Sequence, residues 1–150
     1  MMRGGMLPAL AVALVLAAGP ASAGALQECY QRAPSRAQVT PCLNAYRKVA
    51  TDAMLEQFLA VEQSLTELER VTGRGGKVAA LKQSQRDFER YLHSQCQVVL
   101  RAYDSGTGAG QAQLACEVDM LRSRSAALEL LAPEQDETKK QEPADVDHPH

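Results

Sequence analysis

The chain has 150 residues, the size of a single domain. Apolar residues make up 45% but aromatic ones only 4%, with no Trp, so any core must rest on Leu, Val, Ala and Met, a composition that suits helices. The formal charge of −2 lacks the strong basic excess of a phosphate-tracking protein, which argues against nucleic acid as a partner. At the start, Met1 to Met6 carry one charge, Arg3, and no acid; Leu7 to Ala18 are almost continuously apolar; Ala21-Ser22-Ala23 is a small-x-small cleavage site. This pattern predicts a signal peptide over 1–23, a mature chain beginning at Gly24, and a periplasmic or secreted location. The apolar run falls short of the roughly 20 residues of a permanent span, so no stable membrane insertion is expected after cleavage. Cys29 follows Gln27 and Glu28, which does not fit lipid attachment.

From Gly24 to Thr40 apolar residues are few, and at most a short turn is expected at Ser35. Thr40 suits an N-cap and Pro41 the first helical position. Leu43, Tyr46, Ala50, Met54, Phe58, Val61, Leu65 and Leu68 then recur at three and four residues, one face of a long helix that ends near Thr72. Gly73-Arg74-Gly75-Gly76 supplies the reversal. A second stripe, Val78, Leu81, Gln85, Phe88, Leu92, Cys96, Val99 and Tyr103, predicts a helix to about Ala102. The glycine-rich stretch 104–110 reads as a connection, and Leu114, Val118, Leu121, Ser125 and Leu128 mark a third helix that ends before Pro133. No stretch shows the alternation of a strand. The expected fold is therefore all-α, a three-helix up-down bundle or long helical hairpin over 24–132. Pro133–His150 has six acids, two lysines and almost nothing apolar, which predicts a disordered acidic tail of charge −4. The body, with 13 basic and 12 acidic residues, is close to neutral.

Four cysteines, Cys29, Cys42, Cys96 and Cys116, in an exported chain predict two disulfides. Cys96 and Cys116 each fall about 10 Å from the connection between their helices, level with one another in an antiparallel hairpin. That favours Cys96 to Cys116 and leaves Cys29 to Cys42, with the two other connectivities formally open. Each bridge should contribute roughly 3 kcal/mol, so reduction should unfold the domain.

Sites of chemistry are scarce. No Cys-x-x-Cys unit exists for zinc or redox work. Gly73 to Val78 lacks the upstream Gly and the hydroxyl residue of a phosphate loop, and Gly106 to Gly110 follows a helix where a dinucleotide fingerprint would follow a strand. His93 has no ligand partner at helical spacing, and His148 and His150 sit in the tail. No Gly-x-Ser-x-Gly elbow is present, and paired carboxylates such as Glu67 and Glu69, or Glu117 and Asp119, are two residues apart and point to different helix faces. The reading is a non-enzymatic protein with no cofactor and no metal.

Several spaced residues resemble the lysozyme inhibitor LprI-like N-terminal domain family of small exported helical domains. They are Cys29-Tyr30, Cys42-Leu43-Asn44, the stretch Thr51 to Leu55, Leu81-Lys82-Gln83-Ser84-Gln85-Arg86-Asp87-Phe88, then Tyr91, Cys96, Cys116, Arg124 and Leu128. The signature Trp is here Phe88, and the Arg-Asp pair after the Tyr is Leu92-His93. The resemblance implies a protein partner, specifically a lysozyme-type muramidase. A structural or stress-related envelope protein that scaffolds a complex is the rival reading. Counting residues outward from the Cys96–Cys116 bridge puts Arg86 and Arg124 at nearly one level, which makes Gln85, Arg86 and Arg124 a candidate partner-binding patch. Phe88, on the apolar stripe, is expected in the core, where truncation to Ala would cost about 3 to 5 kcal/mol if the ring is fully buried.

Overall fold

The computed structural model describes residues 24–103 and 106–132; the expected signal peptide and acidic tail lie outside them. Four helices follow in order: α1 (Ala25–Arg32), α2 (Val39–Thr72), α3 (Lys77–Ala102) and α4 (Thr107–Glu129). No strand occurs among the described residues, and no helix there is long and apolar enough to cross a membrane. The three long helices run up, down and up, as the spacing predicts.

α4 is the central element. From Gln111 to Leu121 none of its residues is exposed, because α1, α2 and α3 all pack against it. Ala109, Ala112 and Ala115 recur every third residue and are all buried, and such small side chains let a neighbouring helix come close. Val118, Leu121 and Leu128 continue the core toward the C-terminal end, against Leu43, Ala50, Met54 and Val61 of α2. Of the expected stripes, only their outer ends fail to be covered: Leu68 and Tyr103 are exposed.

The reversal between α2 and α3 is built as its glycines require. Gly73 adopts a left-handed φ of 66° and its N–H donates to the Glu69 carbonyl at 2.9 Å, closing α2. Across the turn, the Glu69 carboxylate accepts the backbone N–H groups of Lys77 at 2.5 Å and Val78 at 3.1 Å. One side chain of α2 thus caps the exposed donors and positive dipole end of α3. The second connection is shorter than expected, since Gly108 and Gly110 already belong to α4.

α1 is the element that periodicity does not announce. Eight residues are too few for a stable isolated helix, so its formation rests on tertiary contacts. Ala25 and Cys29 are completely buried. The Asp119 carboxylate accepts the N–H of Ala25 at 2.9 Å, Arg122 holds Glu28 through two bonds of 2.8 and 3.1 Å, and Tyr30 donates to Gln111 at 2.8 Å. A Cβ at Gly24 would meet Asp119 Oδ2 at 2.9 Å, so a larger residue there would push the carboxylate that holds Ala25. Between α1 and α2 a single 3-10 turn, Arg36–Gln38, feeds directly into α2 at Val39. Thr40 is consequently inside the helix and caps nothing; its hydroxyl accepts Gln111 Nε2 at 3.3 Å.

Both disulfides have the pairing favoured by the hairpin, Cys29–Cys42 and Cys96–Cys116, and no described cysteine is free. Cys29–Cys42 fastens α1 to the first turn of α2. Replacing both Cys29 and Cys42 by Ala is expected to release α1 while the α2–α4 bundle stays folded. Limited proteolysis should then cut near 33–38 without loss of the remaining core, and a fully protected segment would show that polar contacts alone hold α1.

Candidate functional site

Of the residues that carry the family resemblance, Gln85, Phe88, Tyr91, Cys116 and Arg124 come together along the seam between α3 and α4. Gln85, only 7% exposed, lies where α2, α3 and α4 meet. Its Oε1 accepts Arg124 Nε–H at 3.2 Å, while its Nε2 donates to Glu89 Oε1 at 3.1 Å and faces Met54 Sδ at 3.4 Å. Because a guanidinium only donates, the amide has one consistent orientation, with its oxygen toward Arg124. Arg124 Nη2 reaches the Ser84 hydroxyl at 3.1 Å, and the guanidinium carbon stands 5.5 Å from the centre of the Phe88 ring. No carboxylate pairs with Arg124 among the described residues, so its charge is held by neutral acceptors and a ring face.

From this junction an open groove of about 520 Å³ runs along the seam toward the Cys96–Cys116 bridge. Phe88, Met120 and Cys116 supply apolar lining, and Tyr91, 59% exposed, stands at its edge. Phe88 is thus half-buried rather than core, because one side of the ring faces this groove and Arg124 covers part of the rest.

The expected triad separates. Gln85 and Arg124 are bonded to one another, but Arg86 is exposed and its Nη2 donates to Gln83 at 2.6 Å on the same helix. Adjacent residues on a helix point about 100° apart, so the level shared by Arg86 and Arg124 does not make them neighbours. Arg90 and Gln83 beside Asp87 hold its carboxyl below the ordinary range. His93 is exposed on the same helix, and His148 and His150 lie outside the described residues. Among the described residues no group of three His, Cys, Asp or Glu could hold a metal.

Sequence reasoning missed a second arginine–aromatic cluster. Tyr46 has Arg122 at 5.0 Å and Arg32 at 5.9 Å from its ring centre, and its buried hydroxyl has no hydrogen-bond partner. The apolar stripe marked Tyr46 as inward-facing; nothing in the spacing pointed to arginines from α1 and α4, since α1 itself was not foreseen.

A long, all-helical body closed by two consecutive disulfides, with a buried glutamine–arginine junction at its centre, defines the class of this protein. The chain belongs to the lysozyme inhibitor LprI family, which it matches over residues 27–128. No curated protein and no solved structure matches it.

Truncating Gln85 to Ala leaves the Arg124 Nε–H and a Glu89 oxygen without their partner, and is expected to cost about 1 to 3 kcal/mol in urea unfolding. Phe88→Ala, removing a half-buried ring, should cost about 2 kcal/mol, less than a fully enclosed ring. The Gln85→Ala, Arg124→Ala double variant should be less destabilised than the sum of the single changes; strict additivity would mean that the bond contributes nothing.

Proposed function

We propose that this is an exported, non-enzymatic binding protein that inhibits a lysozyme-type muramidase. The observation that carries the reading is the family match, which spans nearly the whole helical body from α1 to the last turns of α4. The two disulfides support it, because such bridges persist in oxidising compartments outside the cytoplasm. In this reading the signal peptide 1–23 delivers the chain to the periplasm or the medium. Arg86 and Arg124 contribute to the contact surface beside the α3–α4 groove, and Gln85 positions Arg124.

Charge distribution gives the reading a kinetic signature. The body is close to neutral, while 133–150 carries six acids and two lysines. Against a cationic muramidase the tail accelerates encounter by long-range attraction, whereas dissociation is set by the contacts of the helical body. Removal of 133–150 should therefore slow association with a cationic lysozyme and leave dissociation nearly unchanged. The difference should shrink as salt rises, because screening already limits the reach of charge to about 8 Å at 0.15 M. Association kinetics of both forms at two ionic strengths, beside an assay of cell-wall lysis, check this. Absence of binding by either form at micromolar concentration would overturn the inhibitor reading in favour of envelope scaffolding.

A further inference from the structure

The glycine loop between α2 and α3 fits no phosphate-binding motif and takes no part in the α3–α4 seam, yet it lies past the end of α4. The Arg47–Glu117 and Arg124–Gln85 contacts fix how far α4 reaches beside its neighbours. By the first contact α4 ends about level with residue 60 of α2 and by the second with residue 80 of α3, so α2 continues about 18 Å and α3 about 5 Å past the end of α4 at 1.5 Å per residue. At its end a Cβ placed on Gly73, Gly75 or Gly76 would meet nothing within 4 Å. The loop is therefore narrow and, among the described residues, open on its outer side, with three of its four residues lacking a side chain and Arg74 alone carrying one.

Among the described residues, the charges around it leave Arg74 unneutralised. Glu67 is bound by Arg70, which holds its carboxyl below the ordinary range; Glu62 pairs with Lys82 at 2.7 Å; Glu69 caps α3. The Arg74 carbonyl accepts Lys77 Nζ at 2.5 Å and its N–H donates to Thr72 Oγ1 at 3.3 Å, so the backbone is tied on both sides. Its guanidinium has no hydrogen bond and no carboxylate among the described residues. On the α2 side of the tip, Leu68 and Val71 are exposed and give the projection an apolar flank.

Muramidase chemistry specifies what would receive such a tip. Glycosidic cleavage proceeds through an oxocarbenium-like transition state between two carboxyl groups, in a cleft shaped for a sugar chain. Those carboxyl groups are arranged around developing positive charge. A planar guanidinium brings a permanent positive charge with donors that match carboxylate oxygens two at a time. A four-residue loop with one side chain has a slim profile, whereas a pair of packed helices, each about 10 Å across, is too broad for a single-chain cleft.

We infer that Gly73-Arg74-Gly75-Gly76 is the segment that enters the muramidase cleft, with the Arg74 guanidinium against its catalytic carboxyl groups. This rests on the inhibitor reading above, and it names the part of the chain that does the blocking. Arg86 and Arg124 lie about 15 Å back from the tip along α3 and α4, within the span of a standard interface of about 800 Å² per partner.

The test uses the oxidised mature chain and egg-white lysozyme, with affinity read by calorimetry and inhibition by cell-wall turbidity. Arg74→Ala should weaken binding and inhibition by roughly 30-fold or more, as when one partner of a buried charge pair is truncated. Arg74→Lys should recover only part of that, because it restores the charge without the planar fork. Neither change touches a packed residue, so the urea midpoint of each variant should equal that of the unaltered chain. An N-acetylglucosamine trisaccharide that fills the cleft should compete with the unaltered chain. Full inhibition by Arg74→Ala, or binding indifferent to the trisaccharide, would overturn the assignment of the loop and leave the inhibitor reading in place. No binding by the unaltered chain would overturn both.

Discussion

The structure depends on the enclosure of the middle of α4, where no residue from Gln111 to Leu121 is exposed. A helix segment covered on every side cannot be amphipathic in the ordinary sense, and it must be narrow where its neighbours approach. The alanines at 109, 112 and 115 meet that demand at the N-terminal end, and Val118, Leu121 and Leu128 fill the wider space beyond. Every other element answers to this helix. α2 and α3 lie along it, the Cys96–Cys116 bridge fixes the height of α3 against it, and α1 exists because Asp119, Arg122 and Gln111 of α4 hold its exposed ends and side chains.

That arrangement explains which features could be read from residue order alone. α2 and α3 each have one buried stripe, and a stripe at three and four residues is legible without knowing the neighbour: Leu43, Ala50, Met54, Val61, Leu81 and Cys96 are buried where the spacing puts them. The glycine stop at Gly73 and the level of the two cysteines followed from helix geometry. α1 was not legible, since two turns of helix have no period long enough to detect and owe their stability to contacts with residues some 90 positions away. The site was half legible. Helical rise puts Gln85, Arg86 and Arg124 at one height, but rise says nothing of azimuth, and azimuth separates Arg86 from the other two.

The polar interior compensates for a shortage of aromatic residues. With two Phe, four Tyr and no Trp, the chain has few large rings to fill its junctions. It uses arginines laid over the rings it has, Arg124 over Phe88 and Arg32 and Arg122 around Tyr46, whose stems add apolar cover while their heads remain near water. Met54 and Met120 adapt to the irregular space left beside these contacts. Such junctions are directional. An arginine that must meet both an amide oxygen and a ring face sets the rotation of one helix against the next more narrowly than aliphatic packing does.

Both disulfides join cysteines that are neighbours in chain order, closing sequence separations of 13 and 20 residues. If the chain is exported as proposed above, threaded N-terminus first, this order matters. Cys29 and Cys42 would then emerge with no competing thiol until Cys96 has followed, and oxidation of the emerging chain would favour the native pair. Of the three connectivities that four cysteines allow, the one observed is the one that order of arrival favours.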